Sequence, residues 1–276
     1  MTDQVDLVLY HANCRDGLTA AWCIKKKYPE AVCVPAQYGQ APPSVEPGQH
    51  VVIVDFSYPK DVLLKMRGDA GHAGSLLVLD HHVSAKRDLE GLDPSWCIFD
   101  MTRSGARMAF DYFLPDIQPT LVDYVQDRDL WTWKLPASRE ISAVIDSYPL
   151  TFEGLEQIHN DLAYEWDDVV TEGAAILRYQ TRLVERLCED KRLVQFHGDV
   201  YGVNTPVLQS EVANAISAGK PFGVAWYQNA EGLYCYSLRS RSEDPEAVDT
   251  SVIAKLYGGG GHKNASGIRS KTRLHE

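Results

Sequence analysis

The first third of the chain alternates two hydrophobic rhythms. Short apolar runs at 5–11 (VDLVLYH), 31–38 (AVCVPAQY), 50–57 (HVVIVDFS), 75–82 (SLLVLDHH) and 96–100 (WCIFD) read as five strands. Helical patterns lie between them. The segment 16–27 places Leu18, Ala21, Trp22 and Ile24 at helical spacing, and another helix follows Pro59, a residue tolerated in a first turn. Continuous apolar strands separated by helices predict an α/β fold, a mostly parallel sheet with helices on both faces. From 104 to 196 the rhythm is helical, with SGARMAFDYF, PTLVDYVQD and SREISAVIDSY as packed helices. The stretch 166–196 has no proline and one glycine, which predicts a long helix stopped at His197-Gly198. After it come the strands FGVAWYQ and LYCYSLRS, the helical SEVANAISAG, a helix near 250–256 and the run GGGGHKNASG. The expected organisation is a metal-binding catalytic domain over 1–165, a linker helix over 166–198 and a smaller C-terminal α/β domain over 199–276.

Composition narrows the function classes. The 276 residues are 45% hydrophobic and 24% charged, ordinary globular usage. No run of about 18 apolar residues exists to cross a bilayer, and the start lacks the basic n-region of a secretory signal. The six cysteines form no CxxC pair, so they read as reduced thiols rather than disulfides or a zinc site. A cytoplasmic location is expected. The net charge is −11, and residues 199–276 hold eight basic and eight acidic residues, so the whole excess lies in 1–198. Such a chain has no basic surface for long duplex nucleic acid. Its acidic half handles anionic substrates only with cations in between.

The strand ends carry the chemistry. In open α/β sheets ligands bind beyond the carboxyl ends of the strands. Here those ends offer His11 with Asp16 five residues on, Asp55, and Asp80-His81-His82. Oxygen and imidazole donors together suit Mn²⁺, Mg²⁺, Fe²⁺ or Zn²⁺. The pattern implies two metals sharing a carboxylate, the arrangement for in-line attack of water at phosphorus. Asp127 and Asp129 in VQDRDLWTW sit near a helix C-terminus, where a carboxylate is disfavoured unless a cation compensates. A solvated loop with Trp131 and Trp133 in the core is the other reading. Gly259, Gly260 and Gly261 allow positive φ and close approach of backbone N–H groups to an anion, with His262 and Lys263 adding donors. A plain turn fits the same run. Arg239 and Arg241 alternate onto one face near a strand end. Ser104 is a candidate helix cap whose neighbouring amides could also hold a substrate anion.

These segments together resemble the DHH phosphoesterase superfamily over nearly the whole chain. LYHANCRDGLTAAW, VVIVDFS, LVLDHH and VQDRDLW look like its four motifs, and YSLRS with DTSVIAKLYGGGGHKNASG looks like the DHH-associated C-terminal domain. The resemblance implies a two-domain phosphoesterase with a dinuclear centre, typically two Mn²⁺, with Mg²⁺, Fe²⁺ or Co²⁺ as alternatives. It implies that His11, Asp16, Asp55, His81 and a carboxylate from Asp127 or Asp129 hold the metals, with Asp55 bridging. Asp80 would orient a neighbouring histidine, and His82 would assist proton transfer. Arg239, the glycine run and His262 would hold the substrate. Cys14 departs from the pattern: many members carry there the first aspartate of a D-x-D pair. A thiolate ligand, a thiol beside the metal and an unrelated residue all remain open for it.

The expected function is a metal-dependent, exonuclease-like phosphodiesterase that hydrolyses dinucleotides or short oligonucleotides. A pyrophosphatase or polyphosphatase, or a nucleotide-binding regulator with weakened catalysis, is the alternative. The expected partner is a short nucleotide or oligonucleotide, with no membrane involved. A homodimer is compatible with the sequence.

Overall fold

The computed structural model describes residues 4–68, 73–115 and 118–275. The chain divides into two compact units, Met1–Leu177 and Arg178–Glu276.

The first unit is built on the five expected strands: β1 (Leu7–His11), β2 (Val32–Ala36), β3 (Gln49–Val54), β4 (Ala73–Asp80) and β5 (Cys97–Phe99). They pair in the order β2-β1-β3-β4-β5, every neighbour parallel. Alternation explains why both faces are covered. Val8, Val52, Val54, Leu77 and Leu79 pack into one core, while Leu7, Leu9, Val51, Ile53, Leu76 and Val78 pack into another. The first core is closed by α1 (Arg15–Lys27), α4 (Gly105–Phe113), α5 (Thr120–Asp129), α6 (Ser138–Ser147) and α7 (Phe152–Tyr164). The second is closed by α2 (Lys60–Arg67) and the segment after α3 (Val83–Asp88), through Leu63, Met66 and Leu89. Pro35 sits on edge strand β2, where its missing N–H costs least. The chain leaves β1 for β2 on one side and returns to β3 on the other. The carboxyl ends of β1 and β3 therefore flank a topological switch point.

The helix α8 (Trp166–Glu189) spans the division between the units. It ends earlier than the pattern predicts. Residues 192–195 form β6 (Arg192–Gln195), paired antiparallel with β7 (Asp199–Asn204). His197 (φ 52°) and Gly198 (φ 109°) make the turn between them. The glycine that looks like a helix stop is thus a hairpin turn.

The second unit adds α9 (Gln209–Ile216), β8 (Gly223–Gln228), β9 (Tyr234–Arg239), α10 (Thr250–Leu256), β10 (Gly260–His262) and β11 (Ala265–Ser270). Its sheet runs β10-β11-β9-β8-β7-β6, antiparallel except for β7 beside β8.

Candidate metal centre

At the switch point three strand ends deliver their side chains to one place. His11 closes β1. Asp55 follows β3 with φ 57°, a left-handed conformation that Asp and Asn adopt more readily than most residues. Its Oδ2 lies 3.4 Å from His11 Nδ1, and its Oδ1 lies 3.0 Å from His81 Nε2. His81 Nε2 is also 3.6 Å from Asp16 Oδ2 and 3.7 Å from Asp129 Oδ2. Two adjacent donor groups result: Asp16, His81 and Asp129, and His11, Asp55 and His82. Within each group the ligand atoms lie within 4.8 Å of one another.

Asp16 reaches this place because two helices approach closely. Its carboxylate accepts hydrogen bonds from Gly105 N (2.6 Å) and Ala106 N (3.0 Å), the first amides of α4. Gly17 and Gly105 let the starts of these helices press against the residues that end β1 and follow β3. A Cβ on Gly17 would sit 2.6 Å from His11 O, and one on Gly105 would sit 2.5 Å from Asp55 Cβ. Sequence reasoning misses both glycines, although each adjoins a residue that it singles out. Ser104 caps α4 by accepting from Arg107 N and is fully buried. The first α4 amides, those of Gly105 and Ala106, donate to Asp16.

Asp80 sits beneath the histidines. Its Oδ1 accepts from His81 N (2.7 Å), His82 N (3.1 Å) and His82 Nδ1 (2.8 Å), and its Oδ2 accepts from Ser57 Oγ (2.6 Å). Such bonds fix both the tautomer and the ring orientation of His82. Tyr38, which carries no sequence signal, packs edge-on against His11 and His82, with ring centroids 5.6 Å and 6.2 Å away.

The two acids of the fourth motif separate. Asp129 joins the cluster. Asp127 instead accepts from Thr132 Oγ1, Lys134 N, Leu135 N and Ser138 Oγ, and so spends both oxygens on the loop after α5. Two residues along a helix are about 200° apart, so both acids cannot face one point. Asp127→Ala is expected to lower stability by roughly 2–5 kcal/mol, because the buried Ser138 hydroxyl and two partly buried amides lose their acceptor. Asp129→Asn should leave the melting temperature of the metal-free protein unchanged or higher. Burial, together with the charge of Asp55, raises the Asp129 carboxyl, so its charged form works against folding at neutral pH. Thermal melts of the two variants check this contrast.

The electrostatics call for positive charge. Burial, then Asp129 and Asp55, push the Asp16 carboxyl well above the usual range. Burial opposes the charge of Asp55 too, yet the adjacent His11 and His81 hold it well below that range. Burial also opposes the charge on His81, but Asp129 and Asp55 raise it to about 10. Asp55 Oδ2, Asp129 Oδ2 and His11 Nδ1 are buried and make no hydrogen bond among the described residues. Orphaned carboxylate and imidazole atoms aimed into one acidic cluster are what a pair of divalent cations needs. The residues present fit such cations.

Cys14 is the N-cap residue of α1 and makes no side-chain cap bond. Burial and the nearby Asp55, Asp16 and Asp129 push its thiol well up, which disfavours a thiolate at neutral pH in the metal-free protein.

In the second unit Arg239 ends β9 and donates to Leu238 O and Ser210 Oγ. The glycine run has a packing reason of its own. A Cβ on Gly259 would meet Gly267 O at 2.1 Å, and Gly261 has φ 138° with its Cβ position 2.5 Å from Ala265 O. Gly260, Gly261 and His262 form β10 of the β10–β11 hairpin, with His262 opposite Ala265.

No protein-family profile matches the chain. It is similar to the uncharacterized protein R106 of Acanthamoeba polyphaga mimivirus, 29% identical over 292 residues that cover 96% of this chain and 68% of the relative. Among solved structures it is similar to the DHH domain of a protein described as a member of a ribosomal-protein family. The TM-score is 0.56 at 12% identity, covering 97% of this chain and 82% of the other. It is also similar to RecJ from Thermus thermophilus in complex with Mn²⁺, with a TM-score of 0.50 at 15% identity and 96% of this chain covered. The chain spans about half the length of that RecJ, the match covering 49% of it. The parallel sheet with its switch point therefore gives this chain the fold of that DHH domain.

Proposed function

We propose that this chain is a divalent-metal-dependent phosphodiesterase that hydrolyses dinucleotides and short oligonucleotides. The observation that carries the reading is the convergence of His11, Asp16, Asp55, His81 and Asp129, with two buried carboxylate oxygens that make no hydrogen bond among the described residues. RecJ, similar in fold, is a Mn²⁺ complex. Asp16, His81 and Asp129 would hold one cation and His11 the other, with Asp55 reaching both. Divalent cations bound there supply the Lewis acidity that makes water a nucleophile at neutral pH and neutralises phosphate oxygens.

The protein's own groups do the rest. Asp80 holds His82 by Nδ1, and burial, although it opposes the charge, is outweighed by Asp80, which raises the imidazole. A raised imidazole stays protonated closer to neutral pH and can give a proton to a leaving oxygen. Burial of Asp16, Asp55 and His81 keeps bulk water from competing for the donor atoms. The absence of a basic excess in the sequence suits short substrates.

The test is digestion of an oligonucleotide length series from two residues upward, with chelated and Mn²⁺-loaded protein. Chelated protein should be inactive. Mn²⁺ should restore cleavage better than Ca²⁺, which prefers more oxygen ligands and longer bonds. The dinucleotide should be cleaved fastest. Full activity in verified metal-free protein, or a preference for long strands, contradicts the proposal.

A further inference from the structure

The loop that follows Asp129 is built against local backbone preference. Helix α5 ends in a Schellman turn: Thr132 N donates to Asp127 O (2.9 Å) and Trp131 N donates to Arg128 O (2.9 Å). The residue after the C-cap in that motif is left-handed and is usually glycine. Here it is Trp131, with φ 57°. Two residues on, Trp133 repeats the conformation with φ 53°. Positive φ is a genuine outlier for a bulky side chain, and such strain persists only where the surroundings impose it. Asp127 imposes it, through its bonds to Thr132, Lys134, Leu135 and Ser138.

Core packing does not account for the two indoles. Both residues are only partly buried, and neither belongs to a hydrophobic core of its unit. They meet edge to face, with ring centroids 5.0 Å apart, and the Arg139 guanidinium lies 4.4 Å from the Trp133 ring centroid. Trp133 Nε1 is buried and has no hydrogen-bond acceptor among the described residues. A buried indole N–H without an acceptor is uncommon, because tryptophan usually finds one. Two Cα steps, at most about 7.6 Å, separate Trp131 from Asp129 of the metal cluster.

We propose that Trp131 and Trp133 form a nucleobase subsite beside the metal centre. A base stacks on the Trp131 indole, which Trp133 braces edge to face, while its phosphate lies at the cations. This rests on the phosphodiesterase reading for the phosphate end alone. Stacking on tryptophan is sequence-tolerant, since every base has a π-face. The subsite would therefore select nucleotides over other phosphodiesters without choosing among bases.

The test is calorimetric binding of adenosine 5′-monophosphate and ribose 5-phosphate to Ca²⁺-loaded wild type, Trp131→Gly and Trp131→Phe, with melting temperatures of all three. Wild type should bind the nucleotide about 10–100-fold more tightly than the sugar phosphate, the range for one stacked base. Trp131→Gly should erase that difference while melting at or above wild type, because glycine suits the left-handed position. Trp131→Phe should keep most of the difference. Equal wild-type affinity for the two ligands overturns the proposal, and so does a Trp131→Gly protein that melts lower with its base preference intact. Base-dependent binding without dinucleotide hydrolysis would leave the subsite standing and sink the hydrolase reading. Hydrolysis without base-dependent binding would do the reverse.

Discussion

Asp55→Asn is expected to cut phosphodiester hydrolysis on the order of 10⁴-fold, the scale for removing one member of a group that acts as a unit. Asp55 is the carboxylate common to both halves of the centre, facing His11 through Oδ2 and His81 through Oδ1. Asparagine keeps the shape and accepts the left-handed φ of 57° that this position requires. Backbone strain is thus unchanged and the lost charge is isolated. Metal content should fall together with turnover. A contrast comes from His82→Ala, which should lose about 10²–10⁴-fold in turnover, the range for a positioned proton-transfer group, while retaining most of its metal. Metal analysis and steady-state kinetics on the same preparations check both. Loss of metal from His82→Ala equal to that from Asp55→Asn would make His82 a ligand, a role its ring nitrogen is close enough to take.

Gly105→Ala should be nearly as damaging, although it touches no substrate. In an ordinary helix this change is stabilising by roughly 0.5–1 kcal/mol. Here the new Cβ would fall 2.5 Å from Asp55 Cβ, 2.9 Å from Asp55 Cα and 3.0 Å from Asp16 Oδ2. Two of these contacts are with the backbone or the base of a side chain, which cannot swing aside. The start of α4 must draw back, and its amides then leave the Asp16 carboxylate. Overpacking of this kind costs about 1–3 kcal/mol, and a displacement near 1 Å at a reacting centre costs about 10²-fold in rate. The variant should therefore melt lower, bind cations more weakly and turn over at least about 10²-fold more slowly. A Gly105→Ala protein with unchanged melting and activity would show that the helices have room to separate.

Much of the first unit was legible because its strands are buried on both faces. Leu7 to Leu9 and Val51 to Val54 are continuous apolar runs only because alternate residues enter opposite cores. The strand ends were legible for the same reason: a His or Asp closing such a run marks where the sheet meets solvent. The fourth motif was not. Spacing shows that Asp127 and Asp129 point in different directions, but packing of α5 decides which one faces His81. Hydrogen bonds from Thr132 to Ser138 hold the other in the loop. Close approaches leave no periodic signal, so Gly17 and Gly105 looked like any glycine near a helix start. The end of α8 leaves no mark in the sequence, because RLVQ is a short edge strand that follows a strong helical pattern. Trp131 ran against the rule, since a helix end of its type is normally marked by glycine.

The proposed function requires this cluster of acids and histidines to hold two divalent cations that act together in hydrolysis. Calorimetric titration of metal-free protein with Mn²⁺, with dinucleotide hydrolysis followed in the same samples, tests it most directly. The expected result is two Mn²⁺ per chain in the wild type, at most one in Asp129→Asn, and hydrolysis that rises only as the second site fills. No Mn²⁺ binding by the wild type, or hydrolysis already complete before any Mn²⁺ is added, would contradict it.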